Sequence, residues 1–282
     1  MQFALCNEVL QPWPFERQCA AAAAMGYDAL EVAPFTLAED PMAITDSQAR
    51  QFRRVAEDAG LTISGLHWLL VAPAGLSIVD ADAPLRDRTV AVMRRLVELC
   101  ALMGGRYLVH GSPKQRSVPE GSNREQALER ATDCFTRVAV TAREAGLVYC
   151  IEPLSTRETD LINTVQEAVA IVDTIGSPGL KTMIDCSAAG QVEREPIEAL
   201  MQRWMPSGHI AHVQVNDPNR RGPGQGEMNF APILAAVRRL QASGDYAGTV
   251  AVEPFDYVPN GPACAARAIG YLRGIEQGLD HG

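Results

Sequence analysis

No segment of this 282-residue sequence approaches about 18 uninterrupted apolar residues, the least that a membrane-spanning helix needs, so no membrane span is expected. The opening Met1-Gln2-Phe3-Ala4-Leu5-Cys6-Asn7 lacks the basic stretch and apolar run of a secretory signal, which points to a soluble, cytoplasmic protein. Positive charge is scarce: 25 Lys and Arg stand against 34 Asp and Glu, a formal net charge of -9. A nucleic-acid partner usually calls for a basic face that releases counterions, so none is expected. The seven cysteines form no C-x-x-C pair and mostly sit inside apolar segments; reduced core thiols are expected rather than a metal cluster or a disulfide framework. No glycine occurs in Asn7-Glu8-Val9-Leu10-Gln11 after the first β-rich run, so the dinucleotide-binding fingerprint is absent. Linkers, low-complexity tracts and charge blocks are missing as well.

What is present is ordinary globular material, 47% hydrophobic and 21% charged, arranged with a strong alternation. Eight short β-rich runs recur: Phe3 to Asn7, Ala29 to Ala33, Leu61 to Trp68, Tyr107 to His110, Leu147 to Glu152, Lys181 to Asp185, Ile210 to Val215 and Thr249 to Glu253. Amphipathic stretches lie between them, as in Asp87 to Met103, where Val92, Leu96, Leu99 and Met103 share one side at helical spacing. Gly60, Gly105 and Gly146 punctuate helix ends before the third, fourth and fifth runs, where positive φ is useful. Eight βα units at about 35 residues each predict a closed parallel (β/α)8 TIM barrel, α/β in class, filling residues 1–282 as a single domain. Ala20 to Ala24 reads as plain helix former. Lys114 to Arg124 reads as a long surface loop.

The chemistry sits at the strand ends. Val250-Ala251-Val252-Glu253-Pro254 repeats the pattern of Tyr149-Cys150-Ile151-Glu152-Pro153, and the proline stops each strand with its glutamate at the C-terminal rim. A third strand ends in Asp185, and a fourth presents His212 and Gln214, two residues apart and so on one face. From Glu152 to Asp185, Gln214 and Glu253 the steps are 33, 29 and 39 residues, one βα unit each. Four consecutive strands thus aim oxygen-bearing groups at the face where barrel active sites lie. Three carboxylates gathered at an apolar rim repel one another unless a cation sits between them. Oxygen ligands of this kind suit Mn²⁺ or Mg²⁺, with Co²⁺ also admissible. Spacing leaves open whether His212 or Gln214 faces that cation. His67 and Trp68 close the third strand and His110 the fourth, so both histidines are expected to face the same mouth. Glu8 and Trp13 follow the first strand as a polar contact and an apolar wall, and Lys114, in the loop after His110, is expected to be solvated at the surface rather than to meet an anionic substrate group.

The most specific run is His212-Val213-Gln214-Val215-Asn216-Asp217-Pro218-Asn219-Arg220-Arg221-Gly222-Pro223-Gly224-Gln225-Gly226. It resembles the seventh-strand signature of the xylose-isomerase-like barrels in the sugar phosphate isomerase/epimerase superfamily, especially the tagatose and psicose 3-epimerases and the hydroxypyruvate isomerases. The likeness covers nearly the whole chain. In that signature the metal ligand falls on the position of Gln214, which is histidine in many epimerases and glutamine in hydroxypyruvate isomerases. The resemblance implies Glu152, Asp185, Gln214 and Glu253 as ligands of one divalent metal. It places Glu158 against substrate hydroxyls and Arg220 at a substrate-binding arginine, implies a small sugar or keto-acid substrate, and allows a homodimer or homotetramer. One departure stands out: where the family commonly has histidine three residues beyond the aspartate, this chain has Ala188.

The function expected is isomerisation or epimerisation of a small ketose or hydroxy-keto acid through a metal-bound enediolate. Glu152 and Glu253 would pass the proton from opposite sides of the substrate. Three rivals use similar barrels: a lyase of the dehydroshikimate-dehydratase type, an AP-endonuclease-like nuclease with His67 and His110 on extra zinc ions, and a non-catalytic sugar-binding barrel. The nuclease is disfavoured by the acidic charge, by Ala188, and by having only five histidines, of which His281 is in the tail.

Overall fold

The computed structural model describes residues 1–280; His281 lies outside them. The strands are β1 Phe3–Cys6, β2 Ala29–Val32, β3 Thr62–Leu66, β4 Tyr107–His110, β5 Val148–Ile151, β6 Leu180–Asp185, β7 Ile210–Val215 and β8 Val250–Val252. Each pairs in parallel with the next and β8 pairs with β1, closing an eight-stranded barrel. The helices are α1 Phe15–Met25, α2 Asp46–Asp58, α3 Ala83–Met103, α4 Arg124–Glu144, α5 Val165–Ile175, α6 Cys186–Val192, α7 Ile197–Trp204, α8 Phe230–Ser243 and α9 Gly261–Asp280. No helix among the described residues is long and apolar enough to cross a membrane.

Strand residues alternate between two environments, as the period of two requires. One set, including Leu5, Leu30, Leu66, Leu108, Tyr149, Ile151, Ile184, Val213 and Val252, packs into the layer shared with Val92, Leu96, Leu99, Phe135 and the other helix residues. The other set fills the barrel. Ala4, Cys6, Ala29 and Ala251 form a small-residue cluster, and Tyr107, Val109, Cys150 and Met183 a larger one. All seven cysteines are free and buried.

Three local expectations are corrected. Asn7 does not extend the first strand but opens a 3₁₀ turn, Asn7–Leu10. Its side chain is drawn across the sheet end, accepting from Ala33 N at 2.8 Å and donating to Gln18 Oε1 and Thr36 Oγ1. The left-handed residue ending α3 is Gly104, φ 83°, not Gly105. Gly105 answers to crowding instead, since a Cβ there would lie 2.5 Å from Cys100 Sγ. The stretch from Lys114 to Arg124 is not merely surface: Lys114 is exposed within the turn Pro113–Gln115, but Arg116 is fully buried.

Gly65 lets β3 and β4 approach, because a Cβ at this position would meet the Tyr107 ring and carbonyl oxygen at 2.6 Å. Gly65→Ala is expected to lower stability by about 1–3 kcal/mol, read as a reduced urea midpoint with an unchanged m-value.

Candidate active site at the barrel mouth

The interior faces of β5 to β8 each end in a polar group two residues above another inward side chain. Glu152 stands two residues beyond Cys150, Asp185 beyond Met183, Gln214 beyond His212 and Glu253 beyond Ala251. Glu152, Asp185 and Glu253 are 3–6% exposed, and each contributes an oxygen to a group whose donor atoms lie within 4.8 Å of one another. Gln214 is fully buried in register with Asp185. Its Nε2 donates to Glu31 Oε1 at 2.6 Å, while its Oε1 accepts no hydrogen bond. Asp185 is the N-cap of α6: Oδ1 accepts from Ala188 N at 2.6 Å and Oδ2 accepts from nothing. Asn216 ties the two flanks together, accepting from Ser187 N at 2.9 Å and donating to the Glu253 carbonyl at 3.1 Å.

Burial dominates the electrostatics. It pushes the Glu152 carboxyl well above the usual range, with repulsion from Glu253 and Asp185 adding and Arg116 opposing. It raises Asp185 to about 7 against the pull of the Ala188 N–H. It raises Glu253 to about 8, although the hydrogen bond and charge of His67 oppose it. Burial of this kind favours protons or a cation at the site.

Below the mouth lies a second polar layer that the sequence reading passed over. Glu31, on β2, is fully buried. Besides Gln214, it accepts a hydrogen bond from the Tyr107 hydroxyl, and His212 Nε2 lies 2.8 Å from its Oε2. Burial alone would raise its pKa, but the charges of His212 and His67 and the hydrogen bonds from His212 and Tyr107 outweigh that and hold it near about 2. His212 stacks on the Tyr107 ring at 4.0 Å. On β7 it lies one inward position before Gln214, and both side chains meet Glu31.

Of the remaining expected residues, some converge and some do not. Glu158 and Arg220 line a cleft with Glu152, Asp185, Ser155 and Phe255. Glu158 Oε2 accepts from Ser155 N and Oγ at 3.2 and 2.7 Å. Arg220 has φ 70°, its carbonyl accepts from Phe255 N and Asp256 N at 2.8 Å, and its guanidinium lies 5.0 Å over the Phe255 ring. Ala188 lines the same cleft and supplies only its backbone N–H to Asp185. His67 is fully buried among carboxylates, with Nδ1 2.9 Å from Glu253 Oε1 and Nε2 3.0 Å from Glu8 Oε2. Trp68 Nε1 donates to the same Glu253 Oε1 at 3.0 Å.

His110 does not face the mouth. Its Nδ1 is 2.7 Å from the Tyr149 hydroxyl and its ring meets Phe135 of α4 edge-on, between the strands and the helices. Burial, with Arg116 adding, lowers its pKa to about 3. Period two explains this: His110 follows inward Val109 and so turns outward. The paired His67 and His110 of a zinc nuclease are thus not assembled. Trp13 packs under the Arg17 guanidinium, 4.0 Å from its ring centre, and is not among the side chains lining the cleft.

Two further residues were missed. Arg116 donates weakly to the His110 carbonyl, 3.4 Å, the oxygen that also accepts Glu152 N, so a buried cation stands behind Glu152. Nothing in a polar loop sequence signals such burial. Gly111 makes room for Glu152, since a Cβ there would lie 2.2 Å from Glu152 Oε2. A larger cavity of about 550 Å³ opens at the opposite end of the barrel, around Thr62, Arg106, Val148 and Thr249 where strands begin; it holds none of these groups.

The mouth fits a divalent cation. The donors are oxygens, which suit a hard ion, and the buried Asp185 Oδ2 and Gln214 Oε1 have no other partner. A second group with donor atoms within 4.8 Å, Cys6, Glu8, His67 and Glu253, differs, because the imidazole already stands between the two carboxylates. Burial opposes its charge, yet the Glu8 charge and the hydrogen bonds to Glu253 and Glu8 raise the His67 pKa well above its ordinary value.

A family model described as xylose isomerase-like TIM barrel matches residues 19–275. A D-psicose 3-epimerase of Enterocloster bolteae is 26% identical over 245 residues, covering 86% of this chain and 77% of that protein. A putative hydroxypyruvate isomerase of Homo sapiens is 28% identical over 264 residues, covering 86% and 83%. A crystal structure of D-psicose 3-epimerase in the presence of D-fructose superposes with TM-score 0.81 at 20% identity, covering 98% of this chain and 99% of the other; at that identity the likeness is one of fold.

Two outcomes are expected from this geometry. Gly111→Ala should displace the Glu152 carboxylate while the far-ultraviolet circular dichroism stays unchanged, at a stability cost of about 1–3 kcal/mol; an unshifted Glu152 in its crystal structure would refute the crowding. In the presence of chelator, thermal stability should fall as pH rises through about 7 and 8, because Asp185, Glu253 and His67 bind protons more tightly folded than unfolded. A melting temperature that climbs over that interval would contradict the raised pKa values.

Proposed function

The chain belongs to the xylose isomerase-like TIM barrel family, and on that premise we propose that it is a sugar isomerase or epimerase. Residues 1–282 act as one domain on a small ketose or hydroxy-keto acid, moving a proton next to the carbonyl through an enediolate with one divalent metal ion, Mn²⁺ or Mg²⁺. The observation that carries this reading is the meeting of buried Glu152, Asp185 and Glu253 from the ends of three strands. Ketose 3-epimerisation by relatives such as the psicose 3-epimerase supports the sugar substrate.

Glu152, Asp185, Gln214 and Glu253 would hold the cation, whose positive charge would make the C–H beside the carbonyl more acidic, a contribution of several kcal/mol. Glu152 and Glu253 approach from β5 and β8, and one carboxylate removes the proton while the other returns it, each transfer contributing roughly 10²–10⁴-fold. Glu158, held by Ser155, accepts hydrogen bonds from substrate hydroxyls. Arg220 donates from the other side of the cleft, fixed there by its backbone bonds to Phe255 and Asp256. Phe255, which lines the cleft, supplies an apolar wall. Because Ala188 offers no side-chain donor where the resemblance implies a histidine, the substrate hydroxyl nearest α6 is met by Gln191 or Ser187, which line the same cleft.

In D₂O with Mn²⁺ and a panel of ketoses and keto-acids, the protein should exchange one carbon-bound proton for deuterium. Glu152→Gln should slow that exchange by about 10²-fold or more, and chelation should abolish it until Mn²⁺ is restored. A conjugated, dehydrated product would indicate a lyase instead, and ligand binding without exchange a non-catalytic barrel.

A further inference from the structure

We propose that Trp68, His67 and Glu8 form a clamp on Glu253, fixing which of its oxygens faces Glu152 and Asp185, and that they are positioning residues rather than substrate contacts. The inference rests on Glu253 serving as a ligand and proton carrier. Its geometric basis is that a single oxygen, Oε1, accepts from both His67 Nδ1 at 2.9 Å and Trp68 Nε1 at 3.0 Å. With two N–H groups on Oε1, Oε2 is the oxygen left without such a donor.

Two successive residues do not ordinarily reach one atom, because an extended chain sends neighbouring side chains to opposite faces. Here β3 ends at Leu66, and the chain brings His67 and Trp68 to the same side by placing Trp68 at φ 52°. That left-handed conformation is unfavourable for a bulky side chain and is maintained only where surrounding structure imposes it. The indole is held by Phe35 and Phe255, with ring centres 6.4 and 6.0 Å away, and Phe255 follows Glu253 by two residues. Behind the imidazole, Glu8 Oε2 lies 3.0 Å from His67 Nε2, and neither Glu8 oxygen has another partner. Glu8 therefore serves His67, and His67 serves Glu253. His67 is fully buried, which leaves it no surface to offer a substrate. A carboxylate with one oxygen pinned in this way loses the freedom to rotate or to chelate through both oxygens, as hydrogen-bonded outer residues do for metal ligands generally.

The test combines Mn²⁺ titration with a double-mutant cycle in chelator. Trp68→Phe, which keeps the aromatic packing, and His67→Gln should each raise the Mn²⁺ Kd about tenfold or more, and Glu8→Gln should act in the same direction. On a substrate identified by exchange, kcat should fall with KM changed less than about twofold, whereas Glu158→Gln should raise KM and leave Mn²⁺ affinity alone. In the metal-free protein, Trp68→Phe and Glu253→Gln should be non-additive in thermal stability. Wild-type Mn²⁺ affinity in Trp68→Phe, a KM rise at constant kcat, or additive stabilities would overturn the clamp. If the wild-type protein binds no divalent ion, the metal reading falls, and the metal-free cycle still decides the clamp. Should His67→Gln fail to fold, Trp68→Phe and Glu8→Gln decide it.

Discussion

The constraint on which the rest of the molecule depends is the confinement of three carboxylates at the mouth of the barrel, nearly out of reach of water. Glu152, Asp185 and Glu253 are almost entirely withdrawn from water, and in each the dominant influence is burial, which disfavours the charged form. A fold pays for such an arrangement only when something positive or a proton is part of it. That single tension accounts for the orphaned oxygens of Asp185 and Gln214, for Arg116 standing behind Glu152, and for the donors collected on Glu253.

Support for the site comes from the layer beneath it. Glu31 receives Gln214, Tyr107 and His212 at once, so the amide of Gln214 is oriented with its N–H groups down and its carbonyl unspent. The small side chains Ala4, Cys6, Ala29 and Ala251 leave room on one side of the barrel, while the Tyr107 ring and the His212 imidazole fill the other as a stacked pair. Loops lock the rim: Asn216 bridges the ends of β6 and β8, and the Arg220 carbonyl binds the two residues after Pro254. Groups on different strands are thereby held in fixed relation, which proton transfer between them needs.

Much of this was legible in the order of residues because a barrel strand has a strict period of two and ends where proline or glycine intervenes. The Glu-Pro endings at Glu152 and Glu253 and the one-unit intervals to Asp185 and Gln214 marked the strand ends. The same periodicity, applied one strand further, would have turned His110 outward, because Val109 before it is inward. Glu31 carried a weaker signal, a lone charge inside an apolar strand, and Arg116 carried none, since burial of a loop arginine depends on which other loop lies over it.

The sequence by itself determined the barrel, the strand ends and the chemical type of the groups placed there, because those follow from local periodicity and from what each residue can donate or accept. Only the tertiary structure decided which way each side chain turns: Gln214 above His212, His67 and Trp68 onto Glu253, His110 away toward α4. The physical reason is that these orientations are set by partners far along the chain, 183 residues away for Glu31 and Gln214 and 185 for Trp68 and Glu253, and no local pattern encodes a contact that exists only once the barrel has closed.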